Sequence, residues 1–219
     1  MNDIERIYNL LYKRYRDLNW WPAGSPYEVM VGAVLTQNTA WTNVEMAIAN
    51  FTGRLSPQFV ENVSIEELID IIRPAGFFNQ KAGYLKAVTA WFKQYNYSVE
   101  PVGMRYIASV AKLQYITNLR NELLAVKGVG RETADSILLY ALNLPTFVID
   151  AYTVRLLTRI GFDVPKKYDD VKALFEKNLP NDVALFNNYH ACIVINAKEH
   201  CRAKPVCDGC PLMEMCIVV

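Results

Sequence analysis

Apolar residues recur along this chain at intervals of three and four, and almost nowhere in strict alternation. Ile4, Ile7, Tyr8, Leu11 and Tyr15 form one such stripe and predict a first helix. Trp20-Trp21-Pro22-Ala23-Gly24-Ser25-Pro26 interrupts it, since prolines and glycine do not continue a helix. Residues 27–35 are apolar on nearly every face, the pattern of a helix buried in a core. Thr39 is placed to cap a helix over 40–51. Ser64 with Glu67 has capping-box spacing and starts a short helix that ends before Pro74. Asn79 is placed to cap a helix carrying Leu85, Val88, Trp91 and Phe92. Further helices are expected over 118–126, 131–143, 151–160, 168–179 and 182–199. Two β-rich pieces, Tyr97-Ser98-Val99 and Thr146-Phe147-Val148-Ile149, are too few for a sheet. The fold class is all-α.

Composition narrows this picture modestly. With 219 residues and 52% apolar content the chain can bury a full core, as one large domain or two small ones. The formal net charge of +1 neither demands nor excludes a polyanionic partner, so local charge must decide. No apolar run reaches membrane-spanning length, and the N-terminal MNDIERIYNL is charged, without the apolar core of a signal peptide. A reducing, cytoplasmic setting is expected from the thiols.

Four of the five cysteines lie in the last nineteen residues, Cys201, Cys207, Cys210 and Cys216, spaced C-x5-C-x2-C-x5-C. A zinc ribbon has two C-x2-C knuckles far apart in sequence. One x2 pair flanked by wider intervals suits a [4Fe-4S] cubane, with zinc and disulfides as alternatives. Cys192, in an apolar stretch, reads as an inert buried thiol, and the two histidines, His190 and His200, are too few for a metal site.

Between two expected helices lies Leu124-Ala125-Val126-Lys127-Gly128-Val129-Gly130-Arg131-Glu132-Thr133-Ala134. Gly128 and Gly130 allow a tight turn, and Val129 can plug the core beneath it. The backbone amides of the turn and of the following helix start then face outward, a phosphate site that needs no cationic side chain, with Lys127 and Arg131 beside it. We read this segment as a helix-hairpin-helix phosphate clamp. Asp150 follows a short apolar run and opens a helix. It reads as an N-cap, as a functional carboxylate, or as both.

Hairpin, Val-Ile-Asp and four-cysteine loop, in this order and spacing, resemble the endonuclease III superfamily of DNA glycosylases over nearly the whole chain. The resemblance implies two helical domains with a cleft between them. One is a barrel over 22–144, with its hairpin at 118–143. The other joins 1–21 to 145–219 and carries an iron-sulfur loop at 201–216. It implies that Asp150 is the catalytic aspartate, and that Leu35-Thr36-Gln37-Asn38-Thr39 presents Gln37 or Asn38 to the gap left by a flipped base. A monomer acting on double-stranded DNA with a damaged base, prokaryotic and nucleoid-associated, is expected.

Two departures refine the expectation. Strand-cleaving members place a lysine two residues after the second hairpin glycine, where this chain has Glu132. A carboxylate forms no Schiff base, so abasic-strand cleavage is not expected. Glu132 otherwise reads as an acid in a first helical turn or a substrate contact. The first cysteine interval is one residue shorter than usual in the family. Trp20, Trp21 and Trp41 can stack electron-poor bases, and the WWP…LTQNT pattern resembles the monofunctional alkylated-purine, or 3-methyladenine, glycosylases of the endonuclease III type. Lys198, Arg202 and Lys204 border the first cysteines and suit phosphate contact. Glycosylases for oxidised pyrimidines or mismatched bases, and a catalytically inactive iron-sulfur DNA-binding protein, are the alternatives.

Overall fold

The computed structural model describes residues 2–18, 20–98 and 109–217. Among the described residues there are only helices, turns and loops, with no strand. Val99, the last residue of the first β-rich piece, lies outside the described residues; Thr146 to Ile149 form no ladder. No helix among the described residues is long and apolar enough to cross a membrane. The chain divides into two compact units, residues 23–144 and residues 1–22 with 145–219.

In the 23–144 unit, helix α1 (Pro26–Leu35) is buried along almost its whole length, as its all-round apolar sequence requires. Ser25 caps it by accepting from the Glu28 N–H, and Pro26 supplies a preset φ at the first position. Against it pack α2 (Trp41–Ala49), α4 (Phe78–Lys93) and α6 (Arg131–Ser136), while α3 (Ile65–Ile72) packs on α4 and α2, and α5 (Ser109–Ala125) packs on α6. Helix α6 continues into a wider, π-helical turn, Ile137–Ala141, wholly buried against α1. A short helix, Pro57–Asn62, capped by Ser56, is an element the apolar periodicity did not predict.

Two expected caps are absent. Helix α2 starts at Trp41, and its N-cap Ala40 has no side-chain bond, because the Thr39 hydroxyl donates instead to Ala75 O and Gln37 O. Helix α4 starts one residue before Asn79, with left-handed Phe77 at its N-cap. Ser64 does cap α3, accepting from the Glu67 N–H, while the Glu67 carboxylate pairs with Arg54 rather than closing a full capping box.

In the other unit, α7 (Asp3–Tyr15) and α8 (Ala151–Ile160) pack against the long α9 (Val183–Glu199). The core is aromatic: Phe147 stacks on Phe175 at 4.0 Å between centroids and meets Phe186 and Tyr189 edge-on. Cys192 is fully buried here, and burial pushes its thiol up to about 12, so it is inert as expected.

Candidate functional site

The hairpin is built from α5, the turn at 126–130 and α6. Gly128 has φ +86°, and a Cβ there would stand 2.1 Å from Cγ of the Tyr84 ring, so the turn needs glycine for conformation and for space. Val129 is buried beneath the turn, as its apolar side chain between two glycines predicts. The two helices are clamped by Arg120, whose Nε and Nη2 donate to the two Asp135 carboxylate oxygens at 2.7 and 3.0 Å. Lys127, Arg131 and Glu132 are exposed around the turn.

Gln37 belongs to this assembly. Its Nε2 donates to Gly128 O at 2.9 Å and to Thr133 Oγ1 at 3.0 Å, which ties the end of α1 to the hairpin. Its neighbour Asn38 is exposed, with φ +51°.

Sequence reasoning missed what supports this loop. Lys81, on α4, is 2% exposed. Its ammonium donates to Leu35 O at 2.8 Å, Thr39 Oγ1 at 2.7 Å and Ala75 O at 2.8 Å. Burial lowers its pKa to about 8. One cation thus binds the 35–39 turn to the 75–77 turn. The latter ends in Phe77, a left-handed aromatic residue that is 64% exposed. The only sequence signal was Gly76 before a Phe-Phe pair.

In the other unit, Asp150 is the N-cap of α8. Its Oδ1 accepts from the Thr153 N–H at 2.7 Å and from the Thr153 hydroxyl at 2.8 Å, and its Oδ2 stands 3.5 Å from His190 Nε2 on α9. Burial alone would raise the carboxyl; the imidazole and the two Thr153 hydrogen bonds outweigh it and hold Asp150 below the ordinary aspartate value. The side chain is 11% exposed, and the lowered value favours its ionised form.

Trp20 and Trp21 are half-buried in this unit. Lys198 Nζ stands 6.0 Å from the Trp20 ring centroid, and Trp21 has φ +61°. Trp41, at the first position of α2, is half-buried in the 23–144 unit. Lys198, Arg202 and Lys204 are exposed.

The four cysteines are free thiols that all line one small pocket, partly open to solvent. Leu156, Ile160, Pro205, Leu212 and Met213 complete an apolar wall. Four thiols around one apolar cavity fit an iron-sulfur centre in donor type and in shielding from water. Among the described residues, no three His, Cys, Asp or Glu side chains are grouped to hold a metal ion. The loop has little core of its own and is fastened by Arg159, which the sequence did not single out. Its Nη2 donates to Arg202 O at 2.7 Å, and its carbonyl accepts from Ile217 N at 2.8 Å and from Cys216 Sγ at 3.2 Å.

Comparison with known proteins agrees with this geometry. A candidate DNA repair glycosylase of Methanocaldococcus jannaschii is 48% identical over 217 residues, covering 98% of this chain and 96% of that protein. Endonuclease III of Sulfolobus acidocaldarius is 27% identical, over 87% of this chain and 81% of its own. The crystal structure of H. pylori 3-methyladenine DNA glycosylase bound to 1,N6-ethenoadenine superposes with a TM-score of 0.71 at 26% identity, covering 90% of this chain and 98% of that one. The model of the HhH-GPD superfamily of base excision DNA repair proteins matches residues 31–181. With a buried hairpin plug, a capping aspartate and this match over most of its length, the chain belongs to the HhH-GPD superfamily.

Proposed function

We propose that this chain is a monofunctional DNA glycosylase that hydrolyses the N-glycosidic bond of damaged, alkylated purines in double-stranded DNA. The observation that carries the glycosylase reading is Asp150, an ionised carboxylate at a helix N-terminus that keeps access to solvent. As the C1′–N bond breaks, its electron pair leaves with the base and positive charge develops on the sugar. The Asp150 carboxylate stabilises that charge until water adds to C1′ and loses a proton. An N-alkylated purine leaves readily because its positive charge is neutralised on departure.

The duplex phosphates bind the amides of the hairpin, with Lys127 and Arg131 at its rim, and the exposed Lys198, Arg202 and Lys204. Gln37 holds its loop on the hairpin, so the exposed Asn38 enters the gap as the base flips, and the exposed Phe77 wedges into the stack. The half-buried Trp20 and Trp21 supply a stacking surface for the base. Glu132 stands where a lysine nucleophile would be, which supports hydrolysis without strand cleavage. Cys201, Cys207, Cys210 and Cys216 would hold a [4Fe-4S] cluster with a structural role; when bound it cross-links a loop otherwise fastened by Arg159.

The test is base release from a panel of duplexes carrying 3-methyladenine, 1,N6-ethenoadenine, oxidised pyrimidines or mismatched thymine. Fastest release of the alkylated purines is expected, with intact abasic strands and no borohydride-trapped complex. Faster release of a pyrimidine would replace the substrate assignment, and trapping at the rate of base release would refute the monofunctional one. Protein isolated without air should contain four irons and four sulfides per chain, and folded protein with one zinc per chain would overturn the cluster.

A further inference from the structure

Asp150 does more than an N-cap requires. An N-cap side chain needs one acceptor for one backbone N–H near the helix start. Here the residue that supplies that N–H, Thr153, also turns its hydroxyl onto the same oxygen, so Oδ1 receives two donors from a single residue. Thr153 is fully buried, so water does not replace its hydroxyl if it is removed. With Oδ1 fixed, Oδ2 is directed to the imidazole of His190, itself 5% exposed and wedged edge-on against Phe147. Across from α8, His190 is the titratable side chain of α9 that faces the carboxylate. The Tyr168 hydroxyl accepts from the Ile149 N–H and so meets the backbone beside it.

We propose that Thr153 and His190 are positioning residues for the glycosylase reaction: together they fix the Asp150 rotamer, with Oδ2 as the oxygen that serves the sugar cation. The inference rests on the reading of Asp150 as the catalytic carboxylate. The Thr153 side chain acts through Asp150 alone. Replacing its hydroxyl by a methyl group leaves the backbone cap, the helix and the packing volume in place. His190 acts from a different helix, with its Nε2 3.5 Å from Oδ2, so the two contributions are separable.

The experiment is the pH dependence of single-turnover base release for wild type, Thr153→Val, Thr153→Ser, His190→Gln and Asp150→Asn, with unfolding midpoints measured in parallel. Thr153→Val should move the acid limb of the profile upward by about one pH unit, the equivalent of losing one hydrogen bond to a charged group. Thr153→Ser, which keeps a hydroxyl, should restore the wild-type limb. His190→Gln should also move the limb upward. A purely structural threonine would lower the unfolding midpoint and leave the limb in place. If Asp150→Asn abolishes release while Thr153→Val and His190→Gln profiles superimpose on wild type, the positioning role is wrong and the catalytic role of Asp150 stands. If Asp150→Asn keeps wild-type release, the catalytic reading itself fails. Should Thr153→Val not fold, His190→Gln decides the matter by the same limb.

Discussion

Lys81 and Asp150 carry titratable groups into the interior, one in each compact unit, and in both the pKa is lowered. The same direction has opposite meanings. For Lys81 the ionised form is disfavoured: burial dominates, and its acceptors are two carbonyls and a hydroxyl rather than a carboxylate. For Asp150 the ionised form is favoured, because an imidazole and two Thr153 donors more than offset burial. The three Lys81 N–H groups are fully used and the side chain is sealed, so this cation can only hold two turns together. Asp150 has one oxygen occupied by its cap and the other at a longer distance from His190, in a side chain that remains partly exposed. A saturated buried charge is a fastener; an unsaturated one that is held ionised can do chemistry.

Four experiments would break or sharpen this contrast. The largest effect is expected from Asp150→Asn, which should lower base release about 10²–10³-fold, by analogy with removing one electrostatic stabiliser of a transition state. Asparagine caps helices as well as aspartate, so stability should fall by less than about 1 kcal/mol. A large loss of melting temperature with activity preserved would make Asp150 a cap and nothing more.

Lys81→Met should do the reverse, lowering stability by about 1–3 kcal/mol, because the buried Leu35 carbonyl loses its ammonium donor and the Ala75 carbonyl keeps only that of Thr39. Urea unfolding monitored on the whole protein would measure it, and a loss below about 0.5 kcal/mol would show that the turns do not depend on the cation.

Gly128→Ala comes next, at about 1–3 kcal/mol, since alanine is strained at φ +86° and its Cβ would collide with the Tyr84 ring. It should also weaken binding to undamaged duplex, measured by fluorescence anisotropy. Unchanged binding would argue against the hairpin as a phosphate site.

The smallest effect is a pH signature. Lys81 has a folded pKa of about 8 against 10.5 when unfolded, so the unfolded chain binds the extra proton between these values. Its contribution to stability therefore becomes more favourable as pH rises from 8 to 10.5, with a slope of at most about 1.4 kcal/mol per pH unit. Asp150 has the same sign of slope, in a more acid window. Its contribution is present above the ordinary aspartate value and is lost as pH falls through its lowered folded value. Comparing Lys81→Met with wild type over pH 8 to 10 isolates the first, and a flat difference would contradict the lowered pKa of Lys81.

What the sequence determined by itself is whatever acts over one helical turn. The 3-and-4 period of apolar residues specified an all-helical chain, and α1 was legible as buried because it is apolar on every face. Ser64 and Asp150 were legible as caps, since a cap bonds an amide three residues on. Gly128-Val129-Gly130 was legible as a turn with a buried plug. What only the tertiary structure decided depends on groups far apart in the chain. The Thr39 hydroxyl, free by sequence to cap a helix, is drawn to Ala75, 36 residues on, and to Lys81. Lys81 is buried because a carbonyl 46 residues away, at Leu35, accepts from it; the surrounding sequence reads as ordinary helix. Phe77 rather than Asn79 is the N-cap of α4 because that turn is fixed by the same ammonium. His190, dismissed as a metal ligand for want of neighbours in sequence, finds its partner in Asp150 on another helix. Local periodicity and capping are encoded within a few residues, whereas a buried charge is tolerated only where packing brings its distant partners within hydrogen-bonding reach.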